Sequence, residues 1–444
     1  MTTRDANVFI IQTIKNFIDL ALEYRQDCYL PENKFIRNRK MNFKHLLLML
    51  LNLNKRSLSI ELEDFFNIIG KPDITCTKSA FCQQRENLDN HFLKLLNHVL
   101  VGSFYYFYGN KQKRWKSLRV MTIDGSTQYL INTPEVVKHF GVQVNQSVEV
   151  PMGRIVNCFD LLNQISIRQD LVPIKLSEQL IANYWLYYDY LPSDAVYLYD
   201  RGFPSFNFMW LHMHNGKEKK FVMRCRKNFN KEVEAFYESN EKDKVITLYP
   251  TQKSIDELSQ MEFNITEKSS IKVRLVKIEL SSGEKEILIT NLMSKKKYSY
   301  RSLKWLYGLR WGIETEYDAW KNIYQLEVTS GKKPLTIMQD FYATVFIANL
   351  HNILMKEGDR EVKKKTKGRK LKYKINRNVT CGLLKNRIVR IFLSEDESKI
   401  LEEIKRLFVK YIEPVRKRRR YERKEKCRRK KGRHQPYTNY KRAV

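Results

Sequence analysis

Cysteine is scarce in this sequence and does not pair. The seven cysteines, Cys28, Cys76, Cys82, Cys158, Cys225, Cys381 and Cys427, are odd in number and scattered. With no CxxC spacing among them, neither a disulfide framework nor a zinc module is indicated. Reduced thiols in a cytosolic protein are the expectation. With 16 Gly and 11 Pro in 444 residues, collagen-like and low-complexity classes are excluded. No apolar run approaches the roughly 20 residues that span a bilayer; the longest leucine-rich stretch is His45 to Asn54. Met1 to Leu20 mixes charges with apolar residues at helical spacing and lacks a cleavage-type ending, so no signal peptide is expected.

Acidic charge is in short supply. Lys and Arg total 81 against 49 Asp and Glu, a formal net charge of +32. A soluble protein with that excess calls for a polyanionic partner. Nucleic acid leads, because neutralising phosphates releases counterions and drives association. An anionic membrane surface ranks second. Charge alone does not separate a binder from an enzyme. With 43% hydrophobic and 12% aromatic residues there is ample material for packed cores, so a wholly disordered basic chain is excluded.

Residues 1 to about 110 read as helical, with apolar positions three and four apart in Phe43–Leu53, Leu58–Ile69 and His91–Phe107. Gly70, Pro72 and Asp73 interrupt this region, and Thr77 is placed to cap a short helix through Arg85. A helix, a break and a short helix carrying Lys78, Gln83, Gln84 and Arg85 fit a DNA-reading helix-turn-helix, and equally a plain helical bundle. Near Trp115 the texture changes. Leu118–Ile123 reads as a strand ending in Asp124-Gly125. Arg154–Leu161 and Gln164–Val172 read as a hairpin, Ser177–Tyr190 as a helix, and Ala195–Tyr199 as a strand buried on both faces and ending in Asp200-Arg201-Gly202. A helix to His214 and a strand at Lys220–Arg226 follow. The order indicates a mixed α/β sheet.

Lys227 to Leu292 interrupts the pattern and reads as a β-rich insertion, with a turn at Ser281-Ser282-Gly283. A long helix is expected over Arg301–Tyr324 and another over Leu335–Met355. Beyond Glu357 basic charge climbs, and helical pieces are expected at Val379–Leu393 and Glu395–Tyr411. Val415–Val444 carries 15 Lys and Arg against Glu422 and Glu425, a net +13, which reads as a solvated phosphate-binding tail.

In open α/β sheets, function gathers at the carboxyl ends of strands. Asp124 and Asp200 sit there, each closely followed by Gly125 or Gly202. If their strands are adjacent and parallel the carboxylates converge; singly, either reads as a turn residue. On an ideal helix Tyr307, Arg310, Glu314 and Lys321 fall within about 60° of one another. Asp318 falls close to the same face, while Glu316 points the opposite way. An Arg310–Glu314 pair at i,i+4 reads as easily as a salt-bridged surface stripe. The chemistry favours function. Three carboxylates can hold two Mg²⁺ ions about 3.5–4 Å apart and assist phosphodiester displacement without His or Cys. Arg310 and Lys321 suit phosphate contacts.

The spacing Tyr307-x2-Arg310-x3-Glu314-x6-Lys321 resembles the Tyr-(2)-Arg-(3)-Glu-(6)-Lys signature of the insertion-sequence 4 family of DDE transposases. Asp124 in Ile-Asp-Gly-Ser and Asp200 in Tyr-Asp-Arg-Gly-Phe resemble that family's other two acids. The resemblance covers Leu118 to Lys321. It implies a ribonuclease H-like mixed-sheet core carrying a β-rich insertion, beside an α-helical N-terminal domain and a helical, basic C-terminal region. It implies Asp124, Asp200 and Glu314 as the metal-binding catalytic residues, chooses Glu314 over Asp318, and implies Tyr307, Arg310 and Lys321 as DNA contacts. Mg²⁺, with Mn²⁺ as substitute, is the implied cofactor. Double-stranded DNA (terminal inverted repeats and target) is the implied partner, a synaptic homodimer the implied assembly, and the bacterial cytosol the expected location.

On this reading the chain divides into a helical DNA-binding domain (1–112), the first part of the core (113–226), the insertion (227–294), the second part of the core (295–356) and the basic C-terminal region (357–444). A nuclease without strand transfer, or an inactive DNA-binding repressor, are the alternatives. Lys295–Arg301 and Lys113–Lys116 interleave basic and aromatic residues, as suits phosphate contact plus base stacking or, more plainly, a linker. His212 and His214 flank Met213 near Trp210, which favours packing over a zinc site.

Overall fold

A computed structural model describes residues 2–415 except 38–39, 53–54, 146–147 and 280–282. The basic tail beyond Val415, Cys427 and the turn residues Ser281 and Ser282 lie outside the described residues. The chain forms two compact units, one of residues 1–111, 128–153 and 318–444, the other of 112–127 and 154–317.

The first unit is mainly helical. Its centre is the helix Pro334–Lys365, whose stretch from Phe341 to Met355 is buried all round. Such a helix is a core element, not a surface one. The helices Asn90–Tyr108, Thr3–Leu20 and Glu397–Lys410 pack on it. The expected short helix is present as Lys78–Arg85, with the Thr77 side chain accepting from the Ala80 N–H. Arg85, however, is fully buried and donates to Gln339, Ser330, Asp340 and the Thr336 carbonyl. It is a core residue and reads no DNA. Among the described residues no helix is long and apolar enough to cross a membrane.

The second unit is built on a mixed sheet. Its strands are β1 (Arg119–Tyr129), β3 (Val148–Asp160), β4 (Ile165–Pro173), β5 (Ala195–Tyr199), β6 (Lys220–Cys225), β7 (Asp243–Leu248), β8 (Ile271–Glu279) and β9 (Lys285–Thr290). A short strand, β2 (Val142–Asn145), pairs antiparallel with the start of β3. The order is β4-β3-β1-β5-β6-β9-β8-β7, with β1, β5 and β6 parallel to one another and β9 antiparallel to β6. The region 227–292 is thus mixed, not purely β. It contributes β7, β8 and β9 to the same sheet and adds the helices Lys231–Glu238 and Gln252–Gln260.

Strand alternation sets the two faces of this sheet. Met121, Ile123, Tyr197, Tyr199, Phe221 and Met223 pack with the helices Glu178–Tyr187 and Phe206–His214. Val120, Val196, Leu198 and Val222 pack with Leu303, Leu306 and Tyr307 on the other side. Trp115 and Tyr298 are buried there with ring centroids 5.5 Å apart, so neither aromatic of the two basic segments is free to stack on a base. His212 is likewise buried, its Nε2 3.0 Å from the Tyr199 hydroxyl, while His214 stacks on Trp210.

The helix expected over Arg301–Tyr324 is not a single ideal rod. It runs as an α-helix over Tyr300–Gly308, a 3₁₀ turn over Leu309–Trp311, an α-helix over Gly312–Asp318 and a π-turn over Ala319–Ile323. Each change of winding shifts the angle per residue, so the 100° wheel fails across its full length.

Candidate active site

The β1–β5 register is Arg119↔Ala195 through Thr122↔Leu198, which carries Asp124 and Asp200 to matching positions two residues further on. The Thr122 hydroxyl donates to the Leu198 carbonyl at 2.9 Å and ties the strands just before the acids. Two tyrosines brace the backbone. Tyr317 donates to the Asp124 carbonyl at 2.7 Å, and Tyr307 donates to the Tyr199 carbonyl at 3.3 Å. Tyr307 is buried, and burial pushes its hydroxyl pKa well above the usual range.

Contrary to the expected strand end at Asp124-Gly125, β1 continues through Gly125 to Tyr129. Gly125 serves a different purpose. A Cβ there would collide with the Glu178 side chain, whose carboxylate lies against the glycine. Glu178 opens the helix Glu178–Tyr187, capped by Ser177, and a helix N-terminus favours negative charge. Sequence reasoning missed this residue. The available signal was a Ser-Glu pair opening the helix directly after β4.

Arg310 joins the acids. Its guanidinium donates to the Asp124 carboxylate and to Glu314, each at 3.4 Å. The Arg310 side chain is only 11% exposed, whereas Glu314 is 46% exposed. Asp124 is pushed up to about 7 by burial and then by the neighbouring Glu178 and Asp200 charges, against which Arg310 acts. Glu178 is raised too, first by burial and then by Asp200, with Arg154 opposing. Asp200 accepts from the Gly202 N–H at 2.7 Å.

Asp124, Asp200, Tyr307, Arg310 and Glu314 therefore belong to one unit. Lys321 and Asp318 belong to the other. The Lys321 ammonium lies 4.0 Å from Glu327, and the exposed Asp318 accepts from Asn322 at 2.6 Å. Glu316 is buried. Next to Asp200, a cleft of about 300 Å³ is lined by Arg201, Arg224, Arg226 and Lys227 with Glu284 and Glu286. Arg224 holds Glu286 at 2.8 Å.

An all-carboxylate donor set suits Mg²⁺, and Asp124 sits in an excess of negative charge that a divalent cation would relieve. Among the described residues no three His, Cys, Asp or Glu side chains gather tightly enough to hold one metal ion. Arg310 instead bridges two of the acids. The residues fit a divalent cation in chemistry and charge.

Residues 154–350 match a family model described as transposase DDE domain. The matched segment contains Asp200, Tyr307, Arg310, Glu314 and Lys321, and begins after Asp124. It supports a DDE transposase family for this chain. No curated protein matches the chain. Among solved structures it resembles a chain in the cryo-EM structure of the piggyBac transposase synaptic complex with hairpin DNA, at 12% identity over 90% of this chain and 79% of that one. The TM-score of 0.39 is too low for that likeness to carry any argument.

Proposed function

We propose that this protein is a DNA transposase of the insertion-sequence 4 type, which binds terminal inverted repeats, cleaves at the element's ends and joins them to target DNA. The observation that carries the reading is the matched placement of Asp124 and Asp200 on adjacent parallel strands, with Arg310 linking Asp124 to Glu314. The order β4-β3-β1-β5-β6 supports a ribonuclease H-like core. Asp124, Asp200 and Glu314 are the residues that would hold Mg²⁺ or Mn²⁺. When bound, such ions polarise the scissile phosphate and ease ionisation of the attacking hydroxyl.

The remaining roles fall to the chain itself. Tyr317 and Tyr307 fix the backbone beside the two aspartates. The basic cleft beside Asp200 suits the DNA backbone, as the net charge of +32 does. Lys321 and Arg310 are assigned to phosphate, with Tyr307 in the same signature. DNA is the substrate, and two ends cut together require a synaptic dimer.

Incubating the purified chain with Mg²⁺ and a plasmid carrying the DNA that flanks its gene tests the proposal. End cleavage followed by joined products supports a transposase. Cleavage without joining favours a nuclease, and binding without cleavage a repressor.

A further inference from the structure

We propose that Glu178 is a positioning residue of this site, whose charge holds the divalent cation through Asp124 and whose place is made by the missing side chain of Gly125. The inference rests on the transposase reading and adds a residue that its signature does not contain.

Three observations converge on Glu178. Its carboxylate occupies the space a Cβ on Gly125 would need, so the glycine is a socket and not a turn. The Gly125 N–H serves the carboxylates of both Asp124 and Glu178, which couples the two acids through one peptide group. Its electrostatic neighbours are Asp200 together with Arg154 and Arg310.

Charge counting gives the consequence. Asp124, Asp200, Glu314 and Glu178 carry four negative charges against the guanidiniums of Arg154 and Arg310. The surplus of two equals the charge of one divalent cation. Without Glu178 the surplus is one. A carboxylate a few ångströms from a bound cation attracts it without ligating it, because the protein interior screens weakly. The helix N-terminus at Glu178 keeps that carboxylate anionic and in place.

The test is Mn²⁺ binding to the full chain without DNA, followed by electron paramagnetic resonance of the free ion. Glu178→Gln keeps the shape and the hydrogen-bond acceptor but removes the charge. It is expected to weaken Mn²⁺ affinity at least about tenfold, with an unchanged thermal midpoint and with cleavage restored at saturating Mn²⁺. Gly125→Ala, which expels the carboxylate without altering Glu178, is expected to weaken binding in the same direction. A Glu178→Gln protein that binds Mn²⁺ as the parent does would overturn the proposal. A cleavage loss that saturating Mn²⁺ does not repair would also overturn it, since that marks a structural role. If the parent chain itself binds no Mn²⁺, the metal reading of the whole site fails, and the Glu178 proposal with it.

Discussion

Asp124 and Asp200 stand at matching positions on neighbouring parallel strands, two residues beyond the Thr122–Leu198 pair. Parallel pairing points side chains at equal register to the same face. Two acids 76 positions apart in the chain thereby meet, and Arg310 brings Glu314 to them.

Arg310 is largely buried between two carboxylates. Removing it leaves both without their guanidinium, and buried charge that loses its partner is costly. Arg310→Ala is expected to lower cleavage by more than about tenfold while end-DNA affinity falls less. Gel-shift and cleavage assays on the same preparation check this. Equal losses in both would assign Arg310 to DNA phosphate alone.

Lys321 is the better candidate for an ordinary phosphate contact, with 28% of its side chain exposed and Glu327 4.0 Å away. Lys321→Ala is expected to weaken end-DNA binding and to reduce the slope of log affinity against log salt by about 0.9. The slope is read from binding isotherms at several salt concentrations. An unchanged slope removes Lys321 from the DNA interface.

Arg85 shows what the sequence could not. Its spacing on a capped short helix reads as a base-reading position, yet the side chain is fully buried and anchored to Gln339, Ser330 and Asp340. Arg85→Ala is expected to cost about 3 kcal/mol, because it leaves Asp340 without its buried cation. Denaturant melts measure that loss.

Legibility followed the reach of each signal. Strand identity and the order of the core came from local apolar runs such as Ala195–Tyr199, buried on both faces. The acids were visible because each ends or interrupts such a run. Glu178 was not, since its importance comes from a contact with Gly125 more than fifty residues earlier in the chain. The winding changes between Gly308 and Ile323 also escaped an ideal helical wheel. Trp115 and Tyr298 looked like stacking platforms because their burial against each other is a tertiary fact.

Two buried histidines give a pH signature. His212 is lowered to about 3 by burial and then by Lys219, and His351 to about 3 by burial and then by Arg377. The unfolded chain binds protons at these rings from pH 6.5 downward, whereas the folded chain does not. Their contribution is therefore complete above pH 6.5 and lost as pH falls from there toward 3. Thermal melts across that window are expected to decline less steeply in His212→Gln and His351→Gln than in the parent. Identical slopes would show that neither ring stays neutral in the fold.

The central claim is that Asp124, Asp200 and Glu314 act together on DNA. Its most direct test is Mg²⁺-dependent cleavage of an end-bearing DNA by the parent and by Glu314→Gln, with end binding measured alongside. Cleavage reduced by at least about a thousandfold with binding retained is the expected result. Cleavage by Glu314→Gln at the parent rate would contradict the account.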